Sequence, residues 1–455
     1  MKNRTLSALA ATATAAALTL APALLAQNDP GAAAPTGSGP KLKLSAEIKV
    51  NVRNSSDVKF RPAFPFPPDF IPAGADGVDM RTTDPGTSAE ISNLALQLDA
   101  VLTPDITARA RVHVLDLYNR NPTSSEDRIL VREAWLRIGK KEDVFEPIQK
   151  NSFYIEAGRL PRFSKQIVRK LESYGLWGTA VSRFEENAGE AGASFGNLFY
   201  VRAAVASPNP LFFRDPNALA GDNGTPERQP GNVRPIFESG FPILYDAKAQ
   251  DVNFGGKLQY GGGFGVKMVG PDGQGLDLLA WYFTRDLADS VAIRGTSYSG
   301  DIKLLNAFAG FGIAFPLDGR TKREYGINLN LKLGGLTVSG QYVMQNIAGL
   351  KRQGPEAEVS WFFPIGGLFA SGDQPVFTFL EPAIRYSHID NRFDTPRLYP
   401  APSVGWDWTK IDIGFRLGII RGVDLTAEYS KNDMKLFSGA KLHPNEFLLT
   451  LRAGF

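Results

Sequence analysis

The sequence predicts an all-β chain, a transmembrane antiparallel β-barrel of 16 strands, with 18 as the next choice, long extracellular loops and short periplasmic turns. Three observations predict it. Apolar and polar residues alternate in segments about ten residues long, the length of a tilted strand that crosses a bilayer. From Gln27 onward there is no run of about 18 apolar residues that could form a spanning helix, and a closed sheet is the other way to satisfy backbone groups in hydrocarbon. The last segment is also strongly patterned: Phe447, Leu449, Leu451, Ala453 and Phe455 share one face, with Leu448, Thr450, Arg452 and Gly454 between them. Such an ending reads as the strand that closes a barrel.

The first residues carry Lys2 and Arg4, then an alanine and leucine stretch from Leu6 to Leu20, then small residues at Ala21, Ala23 and Ala26. This is the form of a secretory signal peptide over residues 1–26, cut after Ala26, with Ala23 as the competing site. Residues 27–40 are rich in Ala, Gly, Pro, Ser and Thr and read as a flexible periplasmic leader. Residues 41–455 are left for the barrel. No composition break marks a further domain.

Leu42, Leu44, Ala46, Ile48, Val50 and Val52 oppose Lys43, Ser45, Glu47, Lys49, Asn51 and Arg53, a period of two that a helix cannot produce. Residues 55–88 lack that period and read as a long loop. Leu94 to Leu102 and Ala108 to Val114 form a hairpin around Thr103, Pro104 and Asp105. Seven strand candidates follow at 128–138, 153–159, 175–184, 197–207, 252–260, 276–285 and 302–314. Seven more lie at 324–333, 336–344, 356–362, 376–390, 408–419, 423–430 and 446–455, and the glycine-rich 263–269 is a further piece. The candidates total about 17, and an even number is expected of such a barrel.

In a membrane barrel the apolar stripe faces lipid and the polar stripe lines the lumen. The many Lys, Arg, Asp and Glu side chains on that stripe would need water, so the passage is expected to be hydrated. Residues 55–88 and 208–251 are candidates for a plug or lid, or for exterior cover. Charge selection is expected at the narrowest level. The densest basic stretch holds Arg159, Arg162, Lys165 and Arg169, and residues 164–172 could form a short helix with the last three on one side. Lumen-facing Arg109, Arg111, Arg137 and Arg202 would extend an anion-attracting field. Alternatively, Glu133, Glu156 and Glu172 neutralise these cations. Trp135, Trp177, Tyr200, Trp281, Trp361, Tyr386, Trp406, Trp408 and Tyr429 are candidates for interfacial girdles, with some, Trp135 among them, facing the lumen by parity.

Catalytic and metal readings find little support. The 3 histidines, His113, His388 and His443, have no ligand spacing, and there is no cysteine. No nucleophile elbow, phosphate-binding loop or dinucleotide fingerprint occurs, so no enzyme activity, cofactor or metal is expected. The formal charge of +3 gives no case for nucleic acid. The glycine-dense 255–265 reads as a place for turning or barrel curvature.

Arg132-Glu133-Ala134-Trp135-Leu136, Glu156-Ala157-Gly158-Arg159-Leu160-Pro161-Arg162-Phe163, Glu381-Pro382-Ala383-Ile384-Arg385-Tyr386-Ser387 and the terminal phenylalanine are similar to segments of bacterial outer-membrane porins. The group most resembled is that of the phosphate- and polyphosphate-selective porins and their uncharacterised relatives. The resemblance implies a passive channel for small hydrophilic or anionic solutes in the outer membrane, surrounded by lipid and lipopolysaccharide, commonly of 16 strands and often a homotrimer. It also implies that the barrel assembly machinery reads Leu449, Leu451, Ala453 and Phe455. The lysine and arginine ladder of phosphate-specific members has no residue-by-residue match here, with Arg159, Arg162 and Lys165 standing nearest. A structural barrel that houses or anchors a partner protein is the alternative.

Overall fold

The computed structural model describes residues 40–61, 74, 76, 80–81, 86–116, 130–165, 168–181, 185–207, 244–246, 258–287, 291–293, 315–371, 374–394, 407–436 and 439–455. Residues 1–26, 302–314 and Trp406 lie outside them, as does most of 27–40, 55–88 and 208–251. No described helix is long and apolar enough to cross a membrane.

Sixteen long strands form one closed antiparallel sheet. They are β1 (Lys41–Ser55), β2 (Gly86–Thr103), β3 (Ile106–Asp116), β4 (Leu130–Gly139), β5 (Phe153–Pro161), β6 (Glu185–Phe195), β7 (Phe199–Ala206) and β8 (Gln259–Val269). The second half holds β9 (Gly275–Asp286), β10 (Thr321–Leu333), β11 (Leu336–Ile347), β12 (Leu350–Trp361), β13 (Phe379–Asn391), β14 (Asp407–Ile420), β15 (Val423–Lys435) and β16 (Asn445–Gly454). Each pairs with its chain neighbour. β16 then closes on β1, with Glu47 opposite Gly454 and Ser55 opposite Glu446, and the Phe455 and Ala46 backbones exchange both hydrogen bonds. A closed wall has no exposed edge, which is the condition for crossing hydrocarbon.

The side-chain polarity is inverted relative to a water-soluble sheet. On β10, Tyr325 and Ile327 are 44% and 51% exposed on the outer face, whereas Glu324, Asn328 and Asn330 point inward at 1% or less. Buried charge and amide groups of this kind need partners, and they find them across adjacent strands or on a segment that fills the interior.

The sequence and the structure differ in one region of the wall. Residues 176–181 (Leu176–Val181) form a short helix, α1, where a strand is expected, and the strand lies just after it in β6. No helix occurs among the described residues of 164–172. The described end of 252–260 and the piece 263–269 fall in a single strand, β8 (Gln259–Val269), and residues 252–257 lie outside the described residues.

Inner-face glycines make room for aromatic rings. A Cβ on Gly265 would overlap the Tyr200 ring, one on Gly261 the Phe283 ring, and one on Gly192 the Tyr154 ring. Glycine density in β8 thus serves close packing of neighbouring aromatics. Consistent with this, Trp135, Trp177, Tyr200, Trp281 and Trp408 are buried, and Trp361, Tyr386 and Tyr429 are the described girdle candidates on the outer face.

Candidate functional site: a lumen divided by an inward segment

The connection from β5 to β6 leaves the wall and runs across the interior. Its two ends are fixed at neighbouring strands, yet its middle is bonded to the far side. Asn328 Nδ2 on β10 donates to the Ser164 carbonyl at 2.6 Å, and the Val168 amide donates to Ser339 Oγ on β11 at 3.3 Å. Lys170 reaches Glu381 on β13 at 2.9 Å, and its amide donates to Glu358 on β12. The Ser173 amide donates to Glu428 Oε1 on β15 at 2.7 Å, while Lys410 on β14 donates to the Tyr174 carbonyl at 2.8 Å. Arg385 on β13 holds the Ser173 carbonyl at 2.9 Å and pairs with Asp412 and Glu358.

The helix start is capped in the same manner. Glu356 on β12 accepts from the Trp177 and Gly178 amides, and Trp177 Nε1 donates to the His388 carbonyl at 2.8 Å. Leu176 and Trp177 enter an apolar cluster with Ile389, Trp408, Met434, Leu436 and Leu442. These residues lie toward the ends of β13, β14 and β15 that carry the longer connections. Phe163 continues the cluster by stacking on Phe283 at 4.8 Å. The interior is therefore filled against β9–β15.

Among the described residues, a cavity of about 420 Å³ lies between this segment and β1–β4, bounded also by β6 and β11–β13. Its cationic lining consists of Lys49, Arg111, Arg132, Lys165, Arg169 and Arg385, and six glutamates match them, among them Glu47, Glu133, Glu172 and Glu185. Arg132 meets Glu185 at 2.5 Å, Lys165 meets the same carboxylate at 3.4 Å, and Lys49 meets Glu172 at 2.8 Å. Burial opposes ionisation of Glu172, but the Lys49 ammonium and the Arg169 guanidinium more than offset it and hold the carboxyl below the ordinary glutamate range.

The eight basic residues singled out in the sequence occupy different surroundings. Arg111, Lys165 and Arg169 line the cavity. Arg109 and Arg137 flank the lumen-facing Trp135, at 5.4 and 4.4 Å from its ring centroid, and are paired with Asp99 at 2.6 Å and Glu156 at 2.9 Å. The Arg162 side chain has no exposure: it lies over the Phe283 ring at 3.8 Å and meets Glu324 at 3.0 Å. Arg202 is buried in the wall beside Tyr200. Arg159 stands opposite Ala134 and Asn187 in the sheet register, and its side chain is half-buried near Glu185 and Arg132. Leu449 and Leu451 lie on the outer face of β16, followed by Ala453 and an 80% exposed Phe455.

Several lining residues escape a reading for basic stretches. Glu47 and Lys49 lie on the polar stripe of β1, and Glu356, Glu358 and Arg385 on those of β12 and β13, so parity alone could have placed them inside. Their partners on the crossing segment are separated by up to 212 residues, as for Ser173 and Arg385. No alternation pattern encodes such a pairing.

The fold and the divided lumen together define a porin-like barrel. No protein-family model and no curated protein matches the sequence. Among solved structures, the outer membrane channel DcaP of Acinetobacter baumannii aligns over 92% of this chain and 99% of its own, at 10% identity and a TM-score of 0.51. OmpT of Vibrio cholerae aligns over 92% and 99%, at 10% identity and a TM-score of 0.48. An anion-selective porin from Comamonas acidovorans aligns over 91% and 100%, at 11% identity and a TM-score of 0.42. The first of these shares the overall fold, and the chain resembles porin-type outer-membrane channels in that respect.

Proposed function

We propose that this protein is an outer-membrane porin that passes small hydrophilic solutes and ions by diffusion. The observation that carries this reading is the charge-lined cavity left beside the inward segment, inside a closed barrel whose outer face is apolar. A hydrated passage bounded by polar side chains conducts solutes small enough to fit, and its selectivity follows from the charges at the narrow level. The close pairing of Arg109, Arg137, Arg162 and Lys165 with carboxylates supports a weak anion preference rather than a strong one. In this reading lipid and lipopolysaccharide surround the wall, the barrel assembly machinery reads Leu449, Leu451, Ala453 and Phe455, and three copies associate.

Release from proteoliposomes tests it. Vesicles carrying the full chain and loaded with a small sugar and a dextran should lose the sugar and keep the dextran. Retention of both, with the protein correctly inserted, would favour a barrel that serves as a scaffold.

A further inference from the structure

We infer that the passage holds a binding site for zwitterionic solutes of amino-acid size, formed by Arg111 on β3 and Glu47 on β1. The inference rests on the diffusion-channel reading and assigns it a solute class. Most charged pairs of the interior are sealed: Arg385 and Asp412 sit 2.7 Å apart with side chains at most 2% exposed, and Arg132 and Glu185 lie 2.5 Å apart with 6% and 5% exposure. Arg111 and Glu47 differ. Their side chains are 32% and 26% exposed, and the closest approach is 3.9 Å, beyond hydrogen-bond reach.

The pair is nevertheless held in place. Asn93 Nδ2 donates to Glu47 Oε1 at 3.1 Å, and the Lys49 ammonium stands 3.8 Å from the same oxygen. Among the described residues, the carboxylate nearest Arg111 is Glu47. The site thus offers an open guanidinium fork next to an open carboxylate, both on the wall of the cavity and near the middle of their strands. A second loose pair, Arg109 and Glu133 at 3.7 Å, follows on β3 and β4.

A simple ion entering this surface is attracted by one member of each pair and repelled by the other. A solute that carries an ammonium and a carboxylate a few bonds apart satisfies both. The guanidinium takes the carboxylate in bidentate fashion, and Glu47 takes the ammonium. Because the two groups are already water-exposed, little desolvation opposes the exchange. Binding of this strength lets a solute enter and leave, as conduction requires. The volume of about 420 Å³ suits a small solute.

The test compares alanine with lactamide, a neutral molecule of similar size, by the swelling of proteoliposomes containing the full chain at neutral pH. Alanine should enter at least about threefold faster at low concentration, a preference of about 0.6 kcal/mol or more, and its rate should saturate. Arg111→Gln and Glu47→Gln should each bring the ratio to unity, while the exchange of Glu47→Arg with Arg111→Glu in one chain should restore it. Retained lactamide entry shows that each variant has folded. Equal entry of both solutes in the unaltered protein, or an unchanged ratio in both single variants, overturns the inference and leaves the channel reading standing. Entry of neither solute through correctly inserted protein overturns both.

Discussion

Arg162 and Lys165 are three residues apart and do different work. The Arg162 side chain is fully enclosed between Phe283 and Glu324, whereas the Lys165 side chain is 34% exposed in the cavity wall. Lys165→Gln should therefore shift the zero-current potential under a salt gradient, with little loss of stability. Arg162→Gln should cost on the order of 3 kcal/mol, because it strips a cation from buried Glu324, and should shift the potential less. Equal shifts from the two variants would contradict these placements. The basic run itself was legible in the sequence. Which of its members meets solvent was not, since that depends on Phe283, Glu185 and Glu324 brought in from other strands.

Acid supplies a second residue-scale expectation. The Glu172 carboxyl has a lowered value in the folded chain, so its tie to Lys49 is complete above the ordinary glutamate range and is lost as pH falls through the lowered value. Single-channel noise should rise in that acid window as the crossing segment loosens. Lys49→Met removes the main charge that lowers the value, so the rise should begin at higher pH. Noise that is flat from neutral pH into this window, with the same profile in Lys49→Met, would contradict the tie.

At the scale of elements, the strands differ in how plainly they announce themselves. β1 and β10 carry bulky apolar residues against charged ones, and their period is plain. β6 does not: its outward residues include Asn187, Gly189, Ala191 and Ala193, and its inward ones Ala188, Glu190, Gly192 and Ser194. Small residues on both faces leave almost no hydrophobic contrast, so the period of two is hidden. The preceding Leu-Trp-Gly-Thr-Ala-Val has apolar residues without a decisive period, and short apolar runs fit either a strand or a buried helix. Burial of Leu176 and Trp177 against the inner wall decides it.

The glycine sockets are the element-scale feature most open to a direct test. Tyr200 packs over Gly265 and donates to Asp277 at 2.7 Å. Gly265→Val must displace the ring and break that bond, and should destabilise the barrel by about 1–3 kcal/mol. The check is the temperature at which the compact, fast-migrating form is lost on electrophoresis, and an unchanged temperature would argue against the socket. A glycine-rich strand in the sequence suggests curvature or close packing. Only the neighbouring strand shows which ring fills the space.

The whole molecule depends on closure of β16 against β1, and the alternation of both strands made that pairing readable from sequence. Phe455 adds backbone hydrogen bonds to Ala46 at the end of this seam. Deleting Phe455 should lower the yield of folded barrel while leaving the conductance of surviving channels unchanged. A normal yield, measured by membrane fractionation, would contradict that role. The inverted polarity was also legible, because it repeats locally; the number 16 was legible through the even count expected of such a barrel, since the local pattern offers about 17 candidates and hides β6. The divided lumen was not, because it arises when a connection between neighbouring strands bonds to strands on the opposite side.

A single-channel recording of the unaltered protein under a salt gradient bears most directly on the open, charge-balanced passage. We expect a stable open level and a zero-current potential close to zero, as the six cations and six glutamates of the cavity imply. The absence of any open level, or a potential near that of an ideally anion- or cation-selective pore, would contradict it.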